Sequence, residues 1–266
     1  MTGGLDVEHV EAIRQGFREN GFFIFKGLLT PEAAATMRGY IAEQFSPAAD
    51  TQPYDLLDNP VSGSIKLNIY QRYPEIYREL FFNSHFVTAL KIILGDDFCI
   101  FPDTGIHKNG FGPWHKDTNS QQTSGLTCHF EQDYLITSIA FYFQDNTLEY
   151  GGGLEVLPKS QDIYWSHKAN FPHYGADHRG VLLPSASGDM VIFTDRLDHR
   201  ASPAALPVTN ERTKYAAFFN AGRNNAHAQT YLSFIKRRPI YTFLQDFSYP
   251  EDLQEHARAN RYALLK

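Results

Sequence analysis

Cysteine is scarce in this 266-residue chain, with only Cys99 and Cys128 present. Two thiols cannot build a disulfide framework, and neither belongs to a CxxC pair, which argues against a thiolate zinc site. Basic charge is also in short supply. The formal net charge is −6 with histidine neutral, so no overall positive field attracts a phosphate backbone, and nucleic acid is not an expected partner. Long apolar runs are missing: none reaches the roughly 18 residues that a bilayer crossing needs, and no membrane partner is expected. The opening MTGGLDVEHVEAIRQ has neither a basic n-region nor an apolar h-region. It reads as a polar lead into a helix, not a signal peptide, and a cytoplasmic protein is the expectation.

The chain does have apolar and aromatic mass, at 42% and 14% of residues, enough for a packed core in one large domain. One domain over 1–266 is expected, with a helical part to about 95, a β core over about 96–222 and a helical part from about 223. Val7, Val10, Ile13 and Phe17 have helical spacing. Gly21–Phe25 reads as a short strand. Thr30-Pro31-Glu32 is a helix start, with Thr as cap and Pro in the first turn, leading to a helix through about Phe45. Residues 46–62 are rich in Pro, Asp, Ser and Gly and read as a loop beside a pocket mouth. Helical spacing returns over about 75–94 and stops at Gly95-Asp96-Asp97. Beyond it, Phe98–Ile106, Tyr134–Gln144, Gly153–Leu157, Asp189–Thr194 and Lys214–Asn220 read as short strands separated by turn chemistry. That pattern predicts a sandwich or barrel with helices at its ends.

Three features of the β region carry chemistry. Trp114-His115-Lys116-Asp117 separates an imidazole and a carboxylate by one residue, and on an extended segment i and i+2 point to the same side. Asp198-His199-Arg200 follows the apolar strand Gly188–Phe193, and Arg212 stands at the start of the next strand. An HxD pair alone occurs by chance. An HxD pair, a distal His and an Arg beyond it, each on a predicted strand or its edge, is far more specific. Two histidines and one carboxylate on one side of an ion make the facial triad of non-haem iron(II) oxygenases, which leaves positions open for a bidentate 2-oxo acid and O2. Such a site holds one net positive charge, attracting a carboxylate co-substrate. The planar fork of Arg212 suits the far carboxylate of 2-oxoglutarate. Expected metal ligands and catalytic residues are therefore His115, Asp117 and His199, with Arg212 for the co-substrate.

Several stretches resemble the phytanoyl-CoA dioxygenase family of iron(II)/2-oxoglutarate oxygenases. GFFIFKGLLTPEAAATMR is similar to its N-terminal strand and helix, and PWHKD to its first metal motif. YGGGLEVLPKSQ resembles its glycine-containing hairpin, with Gln161 where a His is usual. GDMVIFTDRLDHRASP resembles the stretch with the distal His, and Glu211–Asn220 the strand that opens with the 2-oxoglutarate Arg. The resemblance implies a double-stranded β-helix, a cupin-like jelly roll mainly of β structure with flanking helices. It implies Fe(II), 2-oxoglutarate and O2 as cofactors, bound by the same four residues, and a small-molecule substrate. Relatives that halogenate lack the carboxylate that Asp117 provides, so hydroxylation or a related oxidation is implied here. Lys108 occupies a place where similar proteins often hold 2-oxoglutarate. His107 alternates with it, so only one of the two should face the barrel interior.

Lys116, Asn119, Arg196, Arg200 and Arg223 are candidate substrate contacts, with a surface salt bridge as the alternative for Arg196 and Arg200 and a plain turn role for Asn119. Thr118 and Asn119 follow Asp117 and could orient it, and Asn220 could reach the pocket mouth. Tyr134, Tyr142 and Phe143 read as barrel packing. Phe234, Ile235 and the aromatics near Tyr241–Phe247 read as a helix face packed on the barrel. His167, His173 and His178 fit no helical face and read as surface or lid residues. The basic residues Lys66, Lys108, Lys116, Arg196 and Arg200 favour a small polar or anionic metabolite as substrate. Competing readings are desaturation, epimerisation or ring formation with the same cofactors, a cupin-type metal isomerase or hydrolase, and a non-catalytic jelly-roll binding protein. The last two leave Arg212 or the intact triad without a role.

Overall fold

The computed structural model describes residues 7–59, 63–110, 112–147, 153–163, 180–202 and 213–266. Arg212, His167, His173 and His178 lie outside the described residues. Helix α1 (Val7–Asn20) buries Ile13 and Phe17 and leaves Val7 exposed. It stops because Gly21 takes φ +80°, with its N–H on Phe17 O at 2.8 Å. A Cβ at Gly21 would lie 2.7 Å from Gln161 Oε1, so this close turn favours glycine. Strand β1 (Phe22–Phe25) follows, then α2 (Pro31–Gln44), whose cap Thr30 accepts from Ala33 N at 3.2 Å. Next come β2 (Leu56–Asn59), β3 (Gly63–Leu67), α3 (Ile69–Arg72), α4 (Pro74–Phe81) and α5 (Ser84–Leu94). The segment read as a loop over 46–62 thus contains an edge strand, and the helical stretch over 75–94 is two helices.

The β core consists of β4 (Phe98–Ile100), β5 (Gly105–Lys108), β6 (Ile136–Tyr142), β7 (Leu154–Val156), β8 (Val181–Leu182), β9 (Met190–Thr194), β10 (His199–Ala201) and β11 (Tyr215–Arg223). A short α6 (Thr118–Thr123) interrupts it. Helices α7 (Ala226–Ile235) and α8 (Glu251–Asn260) and strand β12 (Ala263–Leu264) complete the described chain. The larger sheet runs β1-β9-β6-β11-β5-β3-β2, with β4 also on β11 and β12 parallel to β4; the smaller runs β10-β7-β8. This is a double-stranded β-helix, mainly antiparallel, with flanking helices. The large sheet draws strands from both flanks as well as from the middle of the chain.

What sequence reads as one strand over Phe98–Ile106 is two, β4 and β5. Pro102 has no N–H to donate to a ladder, and the break carries Asp103 and Thr104 into buried positions. Thr104 Oγ1 accepts from Ile69 N at 2.9 Å and pins the start of α3.

Register sorts the side chains of the large sheet into two layers. Ile192, Ile139 and Phe219 lie in one row across β9, β6 and β11 and pack with Phe23, Phe25 and the helices in the main core. The flanking rows, Phe193/Ser138/Asn220 and Val191/Ala140/Phe218, face the other way, toward the smaller sheet, where Val191, Ala140 and Phe193 join Leu154, Val156 and Leu197. The period of two along each strand assigns one face to the helices and one to the barrel interior.

Candidate metal centre

The barrel interior holds a cavity of about 810 Å³, a size suited to a small ligand. His115 and His199 meet at one wall of it. They form an antiparallel bridge, His115 N to His199 O and His199 N to His115 O, both at 2.9 Å. Residues opposed in this way present side chains to one face, and the two rings lie 4.3 Å apart between centroids. Each Nδ1 is hydrogen-bonded to the carbonyl two residues back, His115 to Pro113 O at 2.8 Å and His199 to Leu197 O at 2.9 Å. A carbonyl only accepts, so both Nδ1 atoms carry the proton and both Nε2 lone pairs are free to bind an ion.

Asp117 completes the cluster by a different route from the extended HxD segment expected. Its φ of −61° and ψ of −31° are already helical, and α6 begins at the next residue. The carboxylate lies with Oδ1 3.7 Å from His115 Nε2 and Oδ2 4.0 Å from His199 Nε2. One ligand atom from each of the three lies within 4.8 Å of the others. That span fits a single divalent ion held at about 2.1 Å from each donor. The donor set, two borderline nitrogens and one hard oxygen, is the one that suits iron(II). His199 is buried while His115 and Asp117 are partly open to the cavity. Burial, then the neighbouring His115, pushes the His199 imidazole down to about 4, which keeps it neutral and able to coordinate.

Two further acids share the cavity wall. Asp103 accepts from Tyr231 OH at 2.7 Å and Asn220 Nδ2 at 2.8 Å, both on Oδ2. Burial nonetheless pushes it up to about 6. Asp195 is pushed well above the usual carboxylate range by burial and then by the charges of Asp117 and Asp103. A bound cation at the triad would offset this accumulation of negative charge.

The chain belongs to the phytanoyl-CoA dioxygenase family. That family's model matches residues 17–205, which covers both histidines and Asp117 and stops short of Arg212. Its relatives are iron(II)/2-oxoglutarate oxygenases. No curated protein matches the chain in sequence. Among solved structures, EctD from S. alaskensis with 2-oxoglutarate and 5-hydroxyectoine is 16% identical, covers 83% of this chain and 77% of its own, and has a TM-score of 0.63. The non-haem α-ketoglutarate-dependent epimerase SnoN from nogalamycin biosynthesis is 12% identical over 82% of this chain and 84% of its own, with a TM-score of 0.60. HygX from Streptomyces hygroscopicus, with nickel and 2-oxoglutarate, is 11% identical over 83% and 88%, with a TM-score of 0.58. These likenesses are of fold.

The other residues singled out in the sequence fare unevenly. Asn119 lines the cavity. Lys108 does not: it pairs with Ser64 and Tyr215 on the outer row of β5, and His107, one residue earlier, faces the interior against Phe218 at 4.4 Å. The structure thus places His107, not Lys108, at the cavity lining. Lys116 touches the cavity wall, but its ammonium points elsewhere, donating to Ser160 O at 2.5 Å and Ile163 O at 2.7 Å and pairing with buried Asp198 at 3.5 Å. Arg200 is bonded to Glu155 at 2.7 Å and stacks 5.0 Å over Trp114. Arg196 faces a smaller recess beside His129 and Gln161. Arg223 is exposed at the end of β11. Among the described residues, Lys116 and Arg200 are engaged in ion pairs, Arg196 lies at the smaller recess and Arg223 is exposed. Gln161, in the place of the usual His, donates to Arg18 O at 3.1 Å and Glu19 O at 3.2 Å, tying the hairpin to the end of α1.

Sequence reading missed Asp103, Ser138, Asp195, Tyr231 and Arg238, which also line the cavity. Ser138 was legible in principle. It is a polar interruption in the strand ITSIAFY, buried throughout, and a buried polar group in such a strand needs a partner. Phe234 and Tyr241, read as barrel packing, face the same cavity.

Among the described residues no helix is long and apolar enough to cross a membrane.

Proposed function

We propose that this single-domain chain is an iron(II)- and 2-oxoglutarate-dependent oxygenase that hydroxylates an unactivated C–H bond of a small polar metabolite in the cytoplasm. His115, Asp117 and His199 hold the iron, and Arg212 anchors the far carboxylate of 2-oxoglutarate. The observation that carries this reading is the convergence of two Nε2 atoms and one carboxylate, with both Nδ1 protons committed to backbone carbonyls. Iron, 2-oxoglutarate and O2 supply the oxidation of the C–H bond, releasing succinate and CO2.

The protein's part is positioning. Carbonyl bonds from Pro113 and Leu197 lock the ring orientations. The Ser138 hydroxyl, 3.2 Å from Asp117 Oδ2, orients the carboxylate. Phe193, Phe218 and Tyr142 wall part of the cavity with apolar surface. The structural likeness to an epimerase supports epimerisation as a second outcome of the same cofactor set, since substrate placement decides which bond reacts.

The test is anaerobic addition of Fe(II) and 2-oxoglutarate. The metal-to-ligand charge-transfer absorption of a chelated 2-oxo acid should appear, and H199A and D117A should abolish it. R212A should raise the 2-oxoglutarate concentration required. Iron binding without the band, and without succinate on a broad substrate panel, would rule the co-substrate out.

A further inference from the structure

The oxygenase reading leaves the substrate open, and the cavity's charges narrow it. Among the described residues, five formally charged side chains line the cavity: Asp103, Asp117, Asp195, Lys116 and Arg238. Asp117 belongs to the metal cluster. Lys116 spends its ammonium on Ser160, Ile163 and Asp198. Asp103 commits Oδ2 to two donors, and its Oδ1 is sealed from solvent; Oδ1 of Asp195 is sealed likewise. Neither acid presents an open oxygen to a cationic ligand.

Arg238 differs from all of these. Its guanidinium stacks over two rings that line the same cavity, 5.7 Å from the Phe234 centroid and 5.3 Å from that of Tyr241. No side-chain hydrogen bond and no ion pair within 4 Å joins it to any described residue, although its charge acts on Asp103 and pulls that carboxyl down against burial. These contacts to aromatic rings use none of its N–H groups as conventional hydrogen-bond donors, and a guanidinium offers a planar fork that grips a carboxylate or phosphate. The rings also hold the side chain in place before any ligand arrives, which lowers the ordering penalty on binding. Phe234 comes from α7, Arg238 from the turn after it, and Tyr241 from the 3-10 segment Pro239–Gln245. This wall lies outside residues 17–205, the part that the family model matches.

We propose that Arg238 is a specificity-determining residue that receives an anionic group, a carboxylate or a phosphate, of the substrate, flanked by Phe234 and Tyr241. This rests on the oxygenase reading for the word substrate. The anion site itself rests on the guanidinium and its aromatic clamp. An anionic substrate agrees with the preference drawn from the sequence, but a different residue carries it.

The test uses the full chain loaded with Ni(II) and 2-oxoglutarate, which blocks turnover, and titrates benzoate, phenyl phosphate and phenol by calorimetry. At least one of the two anions should bind wild-type protein more tightly than phenol, and the tighter identifies carboxylate or phosphate as the group recognised. R238Q should weaken that anion at least tenfold, R238K should fall between, and phenol should bind all three proteins alike. Thermal unfolding of R238Q checks that it is folded. Anion binding unchanged by R238Q, or wild-type protein that prefers neither anion to phenol, overturns the proposal. A raised 2-oxoglutarate requirement for the Fe(II) charge-transfer band in R238Q overturns it too, by placing Arg238 on the co-substrate. The wild-type band separates the two claims: no band with Arg238-dependent anion binding sinks the oxygenase reading alone, and a band without such binding sinks the anion site alone.

Discussion

Ser138 and Asn220 stand directly opposite each other on β6 and β11, with the Ser138 hydroxyl 2.9 Å from Asn220 Oδ1 and 3.2 Å from Asp117 Oδ2. A hydroxyl has one proton for these two acceptors. The amide of Asn220 cannot turn to relieve the competition, because its Nδ2 donates to Asp103 at 2.8 Å. Tyr231, Asp103 and Asn220 thus form a fixed series that ends beside Ser138, whose single proton goes either to Asn220 Oδ1 or to the carboxylate of the metal cluster.

Removing the hydroxyl should loosen the ion more than the fold. Partners that orient a metal ligand typically change affinity by about 10- to 100-fold when lost. S138A is expected to weaken Co(II) or Fe(II) binding about tenfold in a chelator competition. The small side chain it removes keeps the thermal midpoint near wild type. Unchanged affinity would mean that Asp117 is held by α6 alone.

Lys116 tests whether a residue between two metal ligands is structural. Its side chain and that of Asp198 are 6% and 1% exposed, and burial lowers the ammonium's proton affinity against the pull of Asp198. Breaking a buried pair by removing one partner costs about 3 kcal/mol or more. K116M should lower the unfolding free energy by about that amount in urea. A substrate contact would instead change binding and leave stability alone.

The sequence carried the parts of this molecule that local chemistry determines. Thr30 caps α2 where its hydroxyl and the following proline say it should, and His115, Asp117 and His199 meet as their types and order imply. Pairing that depends on distant strands was harder to read. Leu56–Asn59 is a mostly exposed edge strand with little apolar patterning, so nothing local separates it from a loop. The destinations of long basic side chains are also tertiary facts. Lys116 and Arg200 flank metal ligands in the chain yet reach Asp198 and Glu155, whereas Arg238, far from any motif, faces the cavity.

Arg72 and Asp55 anchor the chain between α2 and β3. The guanidinium meets both carboxylate oxygens, at 2.7 and 3.0 Å, and the Asp55 side chain is fully buried while also accepting from Gln52 N and Leu67 N. D55A leaves two backbone donors without their acceptor and the cation with only the exposed Asp50 carboxylate at 3.7 Å, and should cost about 3 kcal/mol. R72K keeps the charge but loses the fork, so its loss should be smaller. Equal losses in chemical denaturation would show that charge, not bidentate geometry, holds this segment.

His107 gives the fold an acid sensitivity with a defined window. Its ring packs 4.4 Å from Phe218, and burial, then the positive charge of Lys214, pushes the imidazole from 6.5 down to about 4. Unfolded chains take up this proton near the ordinary value while the folded protein refuses it. The stabilising difference is thus whole above pH 6.5 and is lost as pH falls toward 4. A single proton contributes at most about 1.4 kcal/mol per pH unit to that slope. H107F keeps an aromatic ring against Phe218 and removes the titration. In metal-free protein, unfolding free energies measured from pH 7 to pH 4 should decline less steeply for H107F than for wild type, by up to one proton's worth. Parallel slopes would mean that His107 takes up its proton within the folded barrel, and the burial argument for that ring would fail.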